Sequence, residues 1–254
     1  MILEKELWTD KSISFLISDI VEYDMKEAGF SIIKERNLLP QETIEELNKI
    51  ADKKARQRKI GLLQRGIENK HFREELARGF KEYRLWFGEA NGLDDIDILA
   101  IKKDAIFVKK FCYNTECGNH IRFVEKNVYT AFMQFGSFEF YLKENGLDVK
   151  GLLNDNLELH QKGMLLIIHR VMKLLSQYED IAAIKYVVKV MNDYKTYQLP
   201  VECYREFNSV NGYRLWQNDQ ESVVKDVGES YKYNLIIDYN YINILVPLLN
   251  LVMG

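Results

Sequence analysis

Hydrophobic and polar positions along the first third of the chain predict one strand followed by several helices. Residues 12–24 are rich in β-branched and aromatic residues and end at Asp24, which is typical of a strand. Apolar residues at helical spacing predict a helix over residues 27–36, and Pro40 favours the start of a second helix because proline is tolerated in a first helical turn. A longer helix is predicted over residues 70–91.

The pattern changes near residue 95, where two short apolar runs follow each other closely. Residues 96–101 and 105–108 predict the strands of a tight β-hairpin. Its predicted tip consists of Lys102, Lys103 and Asp104.

Strands and then helices are predicted for the rest of the chain. Residues 121–140 are rich in aromatic and β-branched residues, which favours further strands, and helical spacing returns from about residue 157. The apolar stretch 235–253 contains Asp238 and Pro247 together with several asparagines. We therefore expect it to be buried core rather than a membrane span.

Composition indicates a folded protein of one large or two small domains. The 254 residues are 47% hydrophobic and 29% charged, and the net charge of −3 provides no overall attraction for nucleic acid. Three cysteines and no recognisable secretory signal favour a reducing compartment, the cytoplasm, of a bacterial host if the protein is phage-encoded. Cys112, Cys117 and His120 are either part of a zinc site or incidental residues near a turn.

Two aspartates are the candidate chemistry of the chain. Asp24 and Asp104 each stand at the edge of an apolar run. Two carboxylates from neighbouring strands can hold a pair of divalent ions for phosphoryl transfer, because Mg²⁺ (or Mn²⁺) takes hard oxygen ligands and fills its other positions with phosphate and water. The alternative is that each aspartate only caps a strand or a turn.

The segments around these aspartates resemble palm motifs of family B DNA polymerases of the protein-primed kind. Residues 21–33 are similar to motif A, in which a strand ends in Tyr-Asp and leads into a helix, and residues 97–108 are similar to the hairpin of motif C. This resemblance implies that Asp24 and Asp104 are the catalytic metal ligands. It also implies Mg²⁺ or Mn²⁺, nucleoside triphosphates, a primer and template, and a partner protein, but no membrane.

Two later elements extend the resemblance to roughly residues 20–152. Lys126 and Tyr129 form a Lys-x-x-Tyr element similar to the one that approaches the primer–template duplex after motif C. Lys150 and Gly151 are similar to the Lys-Gly step that leads into the thumb. The resemblance therefore implies that Lys126, Tyr129 and Lys150 bind nucleic acid.

The fold class implied by the resemblance is α+β, a polymerase-like palm with an antiparallel sheet backed by helices. Residues 1–35 and 95–152 would form the palm-like part. Residues 36–94 would form a helical, fingers-like excursion, and residues 153–254 a mainly helical, thumb-like region.

The chain departs from the family pattern at motifs C and B. Lys102 stands where the first aspartate of motif C is usual. No segment of the chain can be aligned with motif B residue by residue. A basic cluster between the two motifs can supply the charge that binds a triphosphate, or it can be a solvated helix face. The cluster extends from Lys53 to Arg65, and its candidate nucleotide-binding residues are Lys54, Arg58, Lys59 and Arg65.

Gly29 is the departure with the largest consequence. The family has a tyrosine at this position, and its ring blocks the 2′ hydroxyl of an incoming nucleotide. Gly29 and Phe30 are thus candidate nucleotide-binding residues, and ribonucleotides should be tolerated unless Phe30 replaces the missing ring. Alternatively, Gly29 only permits a tight turn between strand and helix.

Three hypotheses follow from these patterns. The first is a minimal template-directed nucleotidyltransferase, either a DNA or RNA polymerase or a primase-like enzyme, tolerant of ribonucleotides. The second is a palm-derived protein without catalysis that binds nucleic acid or a polymerase. The third is a structural or host-interaction protein in which the motif matches are coincidental.

Overall fold

Two compact units make up the computed structural model. One unit contains residues 1–11 and 19–128, and the other contains residues 12–18 and 129–254. The residues that the structure describes are 1–66, 69–136, 138–150, 162–196, 198–200, 203, 206–208, 212–214 and 240–254. Two long strands, β2 (Phe15–Met25) and β6 (Ile121–Phe135), contribute to both units.

Four short strands complete the β-structure of the first unit. They are β1 (Leu7–Thr9), β3 (Ile98–Lys102), β4 (Ala105–Val108) and β5 (Glu116–Cys117). The strand order is β1-β3-β4-β2-β6, and β5 pairs with β6. Strands β2 and β4 are antiparallel, with Asp24 opposite Ala105. The prediction that the segments carrying Asp24 and Asp104 belong to one antiparallel sheet is therefore confirmed.

Helices form most of the chain between β2 and β3, as predicted for residues 36–94. They are α1 (Ala28–Arg36), α2 (Gln41–Lys49), α3 (Lys53–Leu63) and α4 (Lys70–Ala90). Pro40 immediately precedes α2, and the Asp52 side chain caps α3 by accepting a hydrogen bond from the Lys54 N–H. Short 3₁₀ helices occupy Ile2–Glu4 and Asp95–Asp97.

Helix α1 packs closely against α4 at Gly79. A Cβ atom at residue 79 would lie 2.4 Å from Cγ2 of Ile32, closer than a real carbon atom can approach. Glycine therefore permits the approach that buries Ile32 and Ile33. These isoleucines belong to a hydrophobic core that also contains Leu76 and Phe87 of α4.

The second unit combines strands with helices. The end of β6 pairs with β7 (Phe138–Lys143), which pairs with β8 (Gly146–Lys150), and both pairings are antiparallel. The helices are α5 (Lys162–Ser176), α6 (Asp180–Lys195) and α7 (Val246–Met253), with a π-helical turn at Tyr241–Leu245. A hairpin of β9 (Glu206–Asn208) and β10 (Gly212–Arg214) was not predicted.

The C-terminal apolar stretch contributes to the core of the second unit over its described part, residues 240–253. Ile244, Leu245, Leu248 and Val252 are buried with apolar residues of α5 and α6. None of the helices in the described ranges is long and apolar enough to cross a membrane. The Gly151 position of the predicted Lys-Gly step lies outside the described residues.

The architecture is thus mixed α and β, with antiparallel strand pairing wherever the register is described. This agrees with the predicted combination of an antiparallel sheet and helices.

Candidate metal and nucleotide site

The carboxylates of Asp24 and Asp104 are brought together at the ends of paired strands. Asp24 is the penultimate residue of β2, and Asp104 lies in the turn that joins β3 to β4. The Met25 N–H donates a hydrogen bond to the Asp104 carbonyl oxygen at 3.2 Å. Burial raises the pKa of the Asp104 carboxyl above its ordinary value, and the nearby Asp24 carboxylate raises that pKa further. The two groups are therefore close enough to interact electrostatically.

A buried arginine supports the turn that carries Asp104. Arg84 of α4 donates from Nε to the Leu3 carbonyl at 3.1 Å, from Nη1 to the Lys103 carbonyl at 2.6 Å and from Nη2 to the Lys5 carbonyl at 3.0 Å. Lys103 has a φ of 59°, a left-handed conformation that is uncommon for residues other than glycine. The Arg84 guanidinium thus ties the N-terminal segment and a strained turn to one helix.

A lysine from the neighbouring strand contacts the same carboxylates. Nζ of Lys126 in β6 lies 3.7 Å from Oδ2 of Asp24 and 3.4 Å from Oε1 of Glu22. The Asn127 side-chain amide donates to Glu22 at 2.6 Å. Burial acts to lower the pKa of Lys126, but the carboxylates of Glu22, Asp24 and Asp104 outweigh burial and raise it above its ordinary value.

Asp24 and Asp104 are the two carboxylates that the site offers to a metal ion. Across the described ranges, no three His, Cys, Asp or Glu side chains come together as a metal site. A metal ion at Asp24 and Asp104 would therefore take its remaining ligands from phosphate and water. The same finding provides no support for zinc at Cys112, Cys117 and His120.

A cavity of about 210 Å³ lies between α1, α3 and α4. Its lining includes Glu27, Gly29, Phe30, Lys53 and Arg56. Glu27 has a φ of 47°, and its carboxylate accepts a hydrogen bond from Arg56 at 2.7 Å. The Arg56 guanidinium also lies 4.8 Å from the centre of the Phe30 ring, a cation–π distance.

Lys53 links this cavity to the aspartates. It lines the cavity, and its charge lowers the pKa of Asp104, opposing the effects of burial and of Asp24. The predicted nucleotide-binding residues Gly29 and Phe30 therefore lie in a cavity that shares a cationic residue with the aspartate pair.

The four predicted basic residues of this region do not line the cavity. Lys54, Arg58 and Arg65 are exposed, and Lys59 forms an ion pair with Glu46 at 2.9 Å. The basic side chains that line it, Lys53 and Arg56, lie within the predicted basic cluster but were not singled out as nucleotide-binding residues.

The orientation of α3 explains this difference. Ile60 is the buried apolar residue of α3, so residues three, four and seven positions before it share its face of the helix. Those residues are Gln57, Arg56 and Lys53. The sequence offers Ile60, Leu62 and Leu63 as apolar positions of α3, and the structure shows that Ile60 is the buried one.

Gly29 is an ordinary helical residue. The left-handed backbone at this turn belongs to Glu27, whereas Gly29 does not have a positive φ. The interpretation of Gly29 as a glycine required by a tight turn is therefore wrong. A Cβ atom at residue 29 would meet only Cγ2 of Ile60, at 4.0 Å, so a small side chain fits there.

The other predicted residues have different surroundings. In the second unit, Tyr129 is fully buried and its hydroxyl donates to Asp148 at 2.8 Å, so its ring is not presented to solvent. Lys150 is half-buried at the end of β8. In the first unit, Lys102 donates to the Thr9 hydroxyl at 2.8 Å.

Cys112 is expected to behave as a core residue rather than as a nucleophile. Burial raises the pKa of its thiol to about 11, and the Tyr23 hydroxyl is hydrogen-bonded to both its N–H and its carbonyl group. Since the thiolate is the reactive form, iodoacetamide labelling of Cys112 at pH 8 should be at least about 100-fold slower in the folded protein than in urea. Peptide mapping by mass spectrometry measures both rates, and rapid labelling in the folded state would contradict this.

Comparison with known proteins identifies a phage family. No curated protein matches the sequence. The family profile described as bacteriophage PBS1 gene 130 protein matches residues 1–254, which is the whole chain. The chain therefore belongs to the bacteriophage PBS1 gene 130 protein family.

Proposed function

We propose that this phage protein is a minimal template-directed nucleotidyltransferase, a DNA or RNA polymerase or a primase-like enzyme, that uses two divalent metal ions held by Asp24 and Asp104. The observation that carries the proposal is the approach of these carboxylates at the ends of paired strands, where the charge of Asp24 raises the pKa of Asp104. Mg²⁺ or Mn²⁺ would activate the attacking oxygen and neutralise charge on the triphosphate.

The cavity between α1, α3 and α4 supplies a place for the nucleotide. Phe30 and Ile60 provide apolar surface, and the absent side chain of Gly29 leaves room at the lining. Lys53 and Arg56 supply positive charge on the same face of α3. In this proposal Lys53 contacts the phosphates, because its charge already acts on Asp104.

The similarity of residues 21–33 and 97–108 to family B palm motifs supports the same class of reaction. It extends the proposal to a palm-like part, a fingers-like part over residues 36–94 and a thumb-like part over residues 153–254. The partners would be a primer, a template and nucleoside triphosphates, and the place of action would be the cytoplasm of the infected bacterium.

The proposal is tested by nucleotide incorporation. Purified protein is incubated with labelled ribo- or deoxyribonucleotides and Mg²⁺ or Mn²⁺, on primed and unprimed DNA and RNA. We expect incorporation that requires a divalent ion and disappears with EDTA. An absence of product on every template with both metals would reject the proposal.

A second function, nucleic-acid or polymerase binding without catalysis, is favoured by one observation. The Lys126 ammonium lies 3.4 Å from Glu22 and 3.7 Å from Asp24 and offsets part of their negative charge, which is a structural role that needs no metal ion. Lys102 in place of the usual motif C aspartate is consistent with this alternative. Nucleic-acid binding that needs no divalent ion, together with no incorporation, would favour this second function.

Sugar selection depends on Gly29 in the proposed enzyme. Wild-type protein should use ribonucleotides at least as well as deoxyribonucleotides, and Gly29→Tyr should lose ribonucleotide use selectively, because the ring enters the cavity beside Phe30. Gly29→Ala is the matched control, since a methyl group fits at this position. Relative incorporation of the two sugar types measures the effect, and thermal unfolding checks that both variants fold.

Two results would contradict this prediction. A folded Gly29→Tyr protein with unchanged ribonucleotide use would refute the steric argument. Strong discrimination against ribonucleotides by the wild type would instead identify Phe30 as the selective residue.

A further inference from the structure

Lys126 contacts the carboxylates of Glu22 and Asp24, and the charge of Asp104 also acts on it. The Glu22 side chain is 2% exposed, that of Asp24 is 23% exposed, and that of Lys126 is 49% exposed. The negative charges of Glu22, Asp24 and Asp104 favour the protonated form of Lys126. The Lys126 ammonium therefore offsets part of the negative charge of these carboxylates, and Lys53 also acts on Asp104.

A buried carboxylate is costly without a compensating positive charge. Glu22 is almost inaccessible to water, so its ionised form depends on nearby donors, which include Lys126 and Asn127. Asp24 shares the same ammonium at 3.7 Å. A divalent ion bound to Asp24 would bring two further positive charges next to Lys126, and like charges at such distances repel strongly.

We propose that Lys126 is a tethered cation that competes with divalent metal ions for Asp24 and must move away when a metal ion binds. This inference rests on the proposed function, because it assumes that Asp24 and Asp104 hold the metal. Lys126 is a positioning residue here, since it acts through the carboxylates that it contacts.

Replacement of the Lys126 ammonium by a metal ion at Asp24 would release the lysine for other contacts. Half of the Lys126 side chain is already exposed, so its ammonium can turn toward solvent without crossing the core. Once released, the ammonium is available to an anionic group of a ligand, such as a phosphate. Metal binding would then precede the full engagement of Lys126 with that group.

Mn²⁺ titration calorimetry tests this competition without requiring catalysis. Lys126→Met removes the charge and keeps most of the side-chain length, and it should bind Mn²⁺ about tenfold more tightly than the wild type. Lys26→Met is the matched control, because Lys26 is an exposed lysine two residues from Asp24. It should change the Mn²⁺ affinity less than about threefold.

A measurement on the wild type covers the case in which Lys126→Met does not fold. Lysines are reductively methylated with ¹³C-formaldehyde, and the Lys126 signal is assigned by its loss in Lys126→Arg, which keeps the positive charge. Addition of Mg²⁺ should shift this signal in a saturable manner in the wild type and leave it unchanged in Asp24→Asn. An unshifted Lys126 signal at saturating Mg²⁺ would overturn the proposal.

The outcomes separate the competition from the proposed function. Unchanged or weaker Mn²⁺ binding by folded Lys126→Met, with wild-type binding that Asp24→Asn abolishes, would overturn the competition and leave the metal site intact. Equal tightening in Lys26→Met would also overturn it, because the effect would then be one of general charge. No Mn²⁺ binding by either the wild type or folded Lys126→Met would remove the metal site, and with it the proposed function.

Discussion

Asp104→Asn should reduce divalent-metal-dependent nucleotide incorporation by about a thousandfold, and Asp24→Asn should do the same. Each change replaces a charged oxygen ligand with a neutral amide of the same shape. A metal ion contributes several kcal/mol of transition-state charge stabilisation, so its loss has an effect of this size. Initial rates of labelled-nucleotide incorporation at saturating Mg²⁺ measure it.

Stability distinguishes a lost ligand from a lost fold in this experiment. The pKa of Asp104 is raised by burial and by Asp24, which means that its ionised form opposes folding at neutral pH. Asp104→Asn should therefore unfold at the same temperature as the wild type or at a higher one. Asp95→Asn is the matched control, because Asp95 is exposed and an amide oxygen can still accept the Ile2 N–H. Equal incorporation activity in Asp24→Asn, Asp104→Asn and Asp95→Asn would contradict the assignment of Asp24 and Asp104 as metal ligands.

Arg84→Met should lower the free energy of unfolding by about 3 to 5 kcal/mol. The methionine fills much of the volume, but the carbonyl groups of Leu3, Lys5 and Lys103 lose hydrogen bonds from a charged donor. Such a bond contributes about 1.5 to 3 kcal/mol, and the loss is smaller at the two part-buried carbonyls of Lys5 and Lys103, which water can reach. Urea denaturation followed by circular dichroism measures this change.

The control for Arg84 comes from the same helix. Arg78 is 58% exposed and pairs only with Glu75 and Glu82 among the described residues, so Arg78→Met should change the free energy of unfolding by less than about 0.5 kcal/mol. Similar small effects of the two substitutions would show that Arg84 does not anchor the turn.

Local elements of the first unit were predictable because their signals are local. β-Branched and aromatic residues predicted β2, proline predicted the start of α2, and two apolar runs around a charged tip predicted the β3–β4 hairpin. The antiparallel pairing of the segments that carry Asp24 and Asp104 was predicted from a resemblance between motifs, and the register of β2 and β4 agrees with that pairing.

Contacts between distant residues were not predictable in the same way. Arg84 lies in a helix with many charged residues, and only the fold reveals that it faces three carbonyl groups far away in sequence. Lys126 was expected to contact nucleic acid, whereas the structure pairs it with Glu22 and Asp24. Both are charged side chains whose partners are determined by tertiary packing, and local periodicity in the sequence does not predict such partners.

The discontinuity of the two units has a consequence for the order of synthesis. Residues 12–18 are made early, yet they belong to the unit that otherwise begins at residue 129. Gln134 donates to the carbonyls of Ile13 and Ser14, across 121 residues in the first case. During synthesis on the ribosome, residues 12–18 can therefore pack only after residues from 129 onward have been made, whereas the first unit can form earlier. A fragment of residues 129–254 would lack residues 12–18, which include the first residues of β2 and supply the carbonyl groups that Gln134 contacts.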